Sequence, residues 1–429
     1  MLPVHCLQAD FERAANLSRL KTGDDFSRHP VHFPAPHRAR RASSEWRIGL
    51  RLLTDVDERF HRAWLDLEQQ ASSRNPFQSA SYVLAAARHL PEVAAPLILT
   101  VECQGELQSL CVFENVAATR RLPVRHLRAW QTPHTYFDTP LLRTGSAERS
   151  MEVFWDFLLR GSHDWHGVEF PRFPNHDAVS RIFEGTAQAE KIPCLKGLCW
   201  ERASLNFREC AEQDVMQHLS VKRMKSLRRG WRELEKLGDV RFEVQHDPHQ
   251  MAQCAEELMH LESLGWKSTV GTALASQASH QQFFREMVAG FTQQQDVFFT
   301  RITVNGQAIV SVAHLKAHDT AYAFKMGWNP ATERGCPGFQ IKLQTVHQRS
   351  LLPAGIQQID SCSSPGSFIE HVWPHRRSFC NRVYVTSPVG NLTATMVSGL
   401  RWMRDTSRAV SRRLFHSNSE DSPETPRNG

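Results

Sequence analysis

The 429-residue sequence lacks the long apolar segments and the paired cysteines that mark membrane-spanning and zinc-binding chains. No run of about 18 apolar residues occurs, so no helix is predicted to cross a membrane. The ten cysteines include no C-x-x-C pair, and Cys194 and Cys199 have no second pair with which to form a zinc site. The first residues also lack the basic and then apolar pattern of a secretory signal. We therefore expect a cytoplasmic protein with reduced thiols and no bound metal.

A large excess of charge is also missing. Lys and Arg total 51 against 45 Asp and Glu, which gives a formal charge of +6. Spread over this length, so small an excess does not indicate nucleic acid binding by itself. Hydrophobic residues make up 41% of the chain, enough for sizeable cores. At about 100–200 residues per domain, the length suggests two or three domains.

Hydrophobic periodicity predicts the same order of elements twice: helix, hairpin, strand, loop, helix, strand. The first hairpin is predicted at 96–103 and 107–114, and the second at 297–304 and 309–315. We therefore predict an α/β (α+β) fold that contains two copies of one unit. The predicted divisions are a disordered leader at 1–45, an N-terminal domain at 46–200, a C-terminal domain at 201–385, and a basic amphipathic helix with a disordered tail at 386–429.

Two predicted helices carry conspicuous positive charge. A single helix predicted at 212–237 contains a basic run between Lys222 and Arg232. Such a run is usually a solvated face, and the alternative is a contact for an anionic ligand. The helix at 392–415 either caps the preceding domain or makes a peripheral contact with an anionic membrane.

One predicted loop has the pattern of an anion site. The strand 321–329 leads into a loop at 330–338, which opens a helix predicted at 339–351. A glycine-bearing loop before a helix directs several unpaired backbone N–H groups at one point, which suits a pyrophosphate. Arg334 would add a charged contact, while Gly335 and Gly338 would allow close approach. Taken alone, this arrangement is more often a simple connection.

The motifs from Glu262 to Arg377 resemble GNAT-superfamily acetyltransferases of the cellulose-biosynthesis-like (CelD-like) branch, which are related to Fem-type transferases. The matching segments are ESLGWKSTVGTAL at 262–274, FFREM at 283–287, NGQAIV at 305–310, AYAFKMGWN at 321–329, CPG at 336–338, IDSC at 359–362 and HVWPHRR at 371–377. Fainter matches are NPFQSA at 75–80 and KRMKSLRR at 222–229. The similarity covers roughly residues 46–385 and is specific in the C-terminal half.

This resemblance implies two tandem GNAT-like domains, each a mixed, mainly antiparallel sheet flanked by helices. It also implies that acyl-CoA binds at the splayed strand before the loop 330–338. The implied cofactor-binding residues are Arg334, Gly335, Cys336, Gly338 and Phe339. The usual pyrophosphate pattern Q/R-x-x-G-x-G/A is not matched, and Cys336 stands where the branch has Ser.

Direct transfer from a thioester needs a base within hydrogen-bond reach and donors for the oxyanion. We identify Asp360, His371 and Lys325 as candidate catalytic residues. Asp360 follows the predicted cofactor helix, His371 carries an imidazole, the side chain most often used as a general base, and Lys325 lies in an apolar strand. Each also has a structural interpretation: a strand-end or capping Asp, a surface His, and a strand Lys that faces solvent.

Candidate acceptor-binding residues come from both halves. Glu262, Trp266 and Lys267 end one predicted helix and enter a loop, although Trp266 is equally compatible with a core position. In the N-terminal half, His134 and Asp138 cluster with Tyr136 in a loop that could meet the acceptor.

These observations predict an acyl-CoA-dependent N- or O-acyltransferase with a small-molecule acceptor, such as a sugar or envelope-polysaccharide precursor. Two alternatives stay open. One is an aminoacyl-tRNA-dependent Fem-type transferase, favoured by the doubled domain and the basic helix but lacking a long coiled-coil arm. The other is a non-catalytic protein that senses CoA.

Overall fold

The computed structural model describes residues 45–209, 212–265, 271 and 273–397. Nearly all of the predicted leader, the predicted acceptor residues Trp266 and Lys267, and positions 398–429 lie outside these ranges. The predicted helix at 392–415 is therefore described only as far as residue 397, where the chain is helical.

Amphipathic helices flank the sheet, and some of them begin at a side-chain cap. Asp57, Ser79 and Asp177 each accept a backbone N–H at the start of the helix that follows them, which satisfies donors that the helix cannot pair internally. The helices are α1 Glu58–Gln70, α2 Ala80–His89, α3 Ala147–Arg160, α4 Ala178–Ala189, α5 Glu212–His218, α6 Val221–Glu235, α7 Met251–Ser263, α8 Ala278–Gln293 and α9 Pro337–His347. None of the described helices has the length and apolar content needed to cross a membrane.

The described strands join in one twisted, mostly antiparallel sheet. The strands are β1 Trp46–Leu52, β2 Leu97–Cys103, β3 Glu106–Val116, β4 His126–Ala129, β5 Leu141–Leu142, β6 Gly167–Pro174, β7 Cys194–Asn206, β8 Val240–Gln245, β9 Val297–Val304, β10 Gln307–Ala317, β11 Thr320–Trp328, β12 Gln358–Asp360 and β13 His375–Val385. Their order across the sheet is β1-β2-β3-β4-β6-β13-β7-β12-β11-β10-β9-β8, and β5 pairs with β3. The predicted mixed α/β fold with a mainly antiparallel sheet is confirmed.

The two halves of the chain share strands at the centre of this sheet. β13, from the C-terminal end, lies between β6 and β7, while β7 pairs with both β13 and β12. The predicted domain boundary at 200/201 therefore falls inside β7. Each half also has one parallel strand pair, β4 with β6 and β11 with β12.

Three large hydrophobic clusters surround the sheet. One contains residues of both halves, including Phe77 and Tyr82 from the first and Phe283 and Phe324 from the second. A second cluster packs α6 and α9 against the C-terminal strands, and a third packs α3 and α4 against the N-terminal strands. Because the first cluster is common to both halves, they form one continuous core on that face.

Some local predictions were wrong. The single helix predicted at 212–237 is two helices, because Ser220 caps α6 by accepting the Arg223 N–H and so ends the preceding turn. The expectation that all thiols are reduced was also wrong, since Cys199 and Cys380 form a disulfide. These two residues are register partners on β7 and β13, 181 positions apart, and only the pairing of the strands brings them together.

Candidate functional site

An open strand edge lies at the centre of the C-terminal half. β11 pairs with β10 along its length, but its parallel pairing with β12 covers only Thr320–Tyr322. From Ala323 to Trp328 no described strand lies along that edge. Phe324 is an extra residue at a bulge, because Ala313 pairs with Lys325 and His314 with Ala323. The edge therefore presents backbone N–H and C=O groups that a ligand can pair with.

The loop after this strand begins α9 in a left-handed turn. A 3-10 turn covers Pro330–Gly335, Cys336 has φ 54°, and Pro337 occupies the first helical position. Cys336 N–H donates to Glu333, while the N–H groups of Phe339 and Gln340 donate to the Cys336 carbonyl. Of residues 336–339, the Gly338 N–H is thus the one without a described partner. The sequence predicted several free donors, and the turn itself uses most of them.

Gly335 serves helix packing. A Cβ at Gly335 would overlap the side chain of Leu234 on α6, and a Cβ at Gly230 would lie 2.8 Å from the Gly335 carbonyl oxygen. The Gln340 side-chain amide donates to the Leu227 carbonyl at 2.7 Å. Two glycines and this hydrogen bond therefore fix α6 against the loop and the start of α9.

This contact brings positive charge to the loop. The Arg223 guanidinium of α6 lies 4.8 Å above the Phe339 ring, and Phe339 packs against Phe368 at 4.8 Å between ring centroids. Burial raises the pKa of the Cys336 thiol, and Arg223 opposes that rise. Arg334 is exposed. The sequence identified the basic helix, but it did not single out Arg223 as the residue next to the loop.

Asp360, at the end of β12, is buried between two guanidinium groups. Its carboxylate lies 2.6 Å from Arg202 Nε and 3.0 Å from Arg377 Nη1, and it accepts the Cys362 N–H at 2.9 Å. Burial alone would raise the pKa of Asp360, but the two arginines and the hydrogen bonds outweigh it and lower the pKa. Asp360 therefore holds three strands together where the open edge begins, and its oxygens are engaged.

Lys325 and Glu262 come together beside the bulge. β11 approaches α7 so closely that a Cβ at Gly327 would lie 2.5 Å from the Glu262 nitrogen. Burial lowers the pKa of Lys325, and the Glu262 carboxylate opposes this. Glu262 is buried and accepts the Leu274 N–H at 2.8 Å. His371 instead lies exposed in the 3-10 turn Phe368–His371.

Two residues of the N-terminal loop that was predicted to meet the acceptor, His134 and Asp138, have partners in different parts of the structure. His134 stacks on Phe283 of α8 at 5.3 Å between centroids, and its Nε2 lies 3.1 Å from His280 Nδ1. Asp138 faces the other way, accepting hydrogen bonds from the Gln131 side chain at 2.9 Å and the Arg172 N–H at 2.5 Å. Burial raises the pKa of Asp138 to about 6. Only His134 of the two thus contacts the C-terminal half.

One buried cation near the site was not predicted. Lys342 of α9 is 2% exposed, and its Nζ lies 5.1 Å from the Trp373 ring centroid. Burial lowers the pKa of Lys342 to about 8, and the nearby Cys362 opposes this. Its sequence signal is a lysine inside the apolar pattern of α9. Within the described ranges, no group of three His, Cys, Asp or Glu side chains could hold a metal ion.

One segment of the chain, which contains the open edge of β11 and the loop after it, matches a known protein family. Residues 221–362 match the family model described as an acetyltransferase (GNAT) domain. No curated protein matches the chain. Among solved structures, FemX matches at 9% identity and a TM-score of 0.46, covering 78% of this chain and 98% of that chain.

Two further structures are similar, also at low identity. L-PGS from Bacillus licheniformis matches at 13% identity and a TM-score of 0.46, covering 80% of this chain and 96% of that chain. A tandem GNAT protein from the clavulanic acid biosynthesis pathway matches at 11% identity and a TM-score of 0.37, covering 80% and 99%. Residues 221–362, which contain the open edge and the loop, are thus the segment of the chain that is similar to a GNAT acetyltransferase domain.

Proposed function

We propose that the protein is an acyl-CoA-dependent N- or O-acyltransferase. The observation that supports this most directly is the open edge of β11, which leads straight into the loop at the start of α9. The pantetheine arm of CoA contains two amide groups, which suit an edge of unpaired strand N–H and C=O groups. Bound acyl-CoA supplies the activated acyl group as a thioester.

The loop fits a pyrophosphate through charge more than through backbone donors. Gly338 offers one N–H, and Arg223 and Arg334 bring two guanidinium groups from α6 and the loop. Guanidinium groups bind phosphate oxygens strongly. Cys336 and Phe339 would then shape the turn, and Gly335 would keep α6 in place.

The side chains beside the bulge suit a nucleophilic attack on the thioester. An acceptor amine or hydroxyl loses a proton as it attacks the carbonyl carbon, and the sulfur leaves as the CoA thiol. Lys325, whose pKa is lowered by burial, and the neighbouring Glu262 are the groups that we propose receive and relay this proton. Asp360 positions the strands, and the exposed His371 is a second candidate base. The acceptor class that we propose is a sugar or polysaccharide precursor.

Calorimetric titration with CoA and acetyl-CoA tests this proposal through a matched pair of variants. A Cβ at Gly338 would lie 3.6 Å from Phe368, an ordinary contact, so Gly338→Ala should bind within about 3-fold of the wild type. Gly338→Asp adds a negative charge at the proposed pyrophosphate position and should abolish binding. Equal binding by both variants would place CoA elsewhere, and no binding by the wild type would overturn the acyl-CoA function.

A second candidate is a transferase that uses aminoacyl-tRNA. It is favoured by the exposed basic residues of α6, namely Lys222, Lys225, Arg228, Arg229 and Arg232. Such a face would give binding that weakens steeply with salt. Salt-sensitive tRNA binding without CoA binding would favour this candidate over the first.

A further inference from the structure

The N-terminal half extends a loop onto the open edge of β11. The loop follows β4, and its Tyr136 ring packs against Phe324 at 6.0 Å between centroids. Tyr136 also packs against Phe77 at 5.5 Å. Its hydroxyl donates to the Phe324 carbonyl at an O···O distance of 3.4 Å. This carbonyl belongs to the extra residue of the bulge, where β11 has already parted from β12.

Several contacts fix the loop in this position. The Arg202 guanidinium donates to the Tyr136 carbonyl at 2.9 Å, and the same group is paired with Asp360. The Tyr82 hydroxyl lies 2.6 Å from the Thr132 hydroxyl in the buried base of the loop. Because these contacts hold both the backbone and the ring of Tyr136, the fold fixes the position of its hydroxyl. A fixed hydroxyl is suited to orienting a neighbouring group.

We propose that Tyr136 is a positioning residue of the acyl site: the N-terminal half supplies this hydroxyl to orient the bulged Phe324 peptide beside the thioester. The inference rests on the proposed function, because it places the acyl end of the ligand at the bulge. At 3.4 Å the hydrogen bond is long, so the hydroxyl can shorten it or share it when a ligand carbonyl arrives.

The acyl group itself provides the test, since CoA and acetyl-CoA differ only there. We expect Tyr136→Phe to bind CoA as the wild type does and to bind acetyl-CoA about 2- to 10-fold more weakly, the worth of one hydrogen bond. The ring and its packing stay in this variant. Tyr384→Phe is the matched control, because the Tyr384 hydroxyl also lies 3.4 Å from a hydrogen-bond partner, Arg382 Nη1. Its ring, however, packs against Trp155 of α3 and not against β11.

The control should keep the wild-type ratio of the two affinities. An unchanged ratio in Tyr136→Phe, with both ligands bound, would overturn the role of Tyr136 and leave the proposed function intact. Equal weakening for both ligands would also overturn it, since that pattern indicates a general structural effect. Failure of the wild type to bind either ligand would overturn the proposed function and this inference with it.

Discussion

At the scale of single residues, two buried carboxyl groups have pKa values that are shifted in opposite directions by their surroundings. Asp360 is surrounded by guanidinium groups that lower its pKa. Glu68 of α1 accepts the Ala80 N–H at 2.7 Å, and burial raises its pKa from 4.5 to about 8 despite the nearby Arg74. Glu68 is therefore protonated in the folded state at neutral pH and ionised in the unfolded state.

This difference predicts a pH dependence of stability. The folded state keeps the Glu68 proton between pH 4.5 and about 8, whereas the unfolded state loses it near 4.5. The unfolding free energy contributed by Glu68 should thus be fully present below pH 4.5 and fall as pH rises, by at most about 1.4 kcal/mol per unit. Glu68→Gln should remove this fall, as urea titrations from pH 5 to about 8 would show.

The matched control is Glu58→Gln, which changes an exposed carboxylate on the same helix. It should keep the wild-type slope of stability against pH. A slope in Glu68→Gln equal to that of the wild type would mean that Glu68 is ionised in the folded protein.

At the scale of elements, the contact between α6 and the loop at 330–336 sets the position of the Arg223 guanidinium relative to the proposed pyrophosphate site. Gly230 lies inside α6, where alanine is favoured over glycine by about 1 kcal/mol on propensity alone. A Cβ there would nevertheless lie 2.8 Å from the Gly335 carbonyl oxygen. We expect Gly230→Ala to lower the melting temperature and to weaken CoA binding, because α6 and Arg223 must move away from the loop.

Gly185 of α4 provides the opposite case for comparison. It also lies inside a helix, but nothing is within 4 Å of a Cβ at that position. Gly185→Ala should stabilise the protein by about 0.5–1 kcal/mol and leave CoA binding unchanged. Differential scanning calorimetry measures both effects, and stabilisation by Gly230→Ala would contradict the proposed packing.

Sequence predicted the elements with strong local signals and missed those defined by distant partners. The hairpin at β9 and β10 has Asn305-Gly306 at its turn, and it lies within two residues of its predicted limits. β7 was missed because all four residues from Lys196 to Cys199 are exposed, so the segment lacks the alternation of a half-buried strand. Its neighbours, β12 and β13, come more than 150 residues later.

In the candidate site, too, the residues with local sequence signals were predicted and those that depend on distant partners were not. Lys325 and the loop at 330–338 could be found from sequence, because a charged residue in an apolar strand and a glycine turn before a helix are local signals. The partners of Asp360 could not, since Arg202 lies 158 positions away. Tyr136 was grouped with His134 and Asp138, but only the packing of the two halves shows which of these side chains reach α8 and β11.

At the scale of the whole molecule, the two parallel strand pairs have different surroundings. In the C-terminal half the gap beyond β12 borders the open edge of β11. In the N-terminal half the equivalent gap, beyond Arg128 and Glu169, contains the buried Asp138 carboxylate. Asp138 bonds to Gln131 after β4 and to the Arg172 N–H of β6, and so connects the two diverging segments.

A filled gap leaves no strand edge for a pantetheine arm in the N-terminal half, so we expect one CoA per chain. Calorimetry should give a stoichiometry near 1, and Gly338→Asp should eliminate all binding. Asp138→Ala would free the Gln131 side chain and the Arg172 N–H without touching the C-terminal site, and it should lower stability by about 1–3 kcal/mol while the stoichiometry stays near 1. A stoichiometry near 2, or binding that persists in Gly338→Asp, would show that the N-terminal half keeps a site of its own, and the expectation of one CoA per chain would then be wrong.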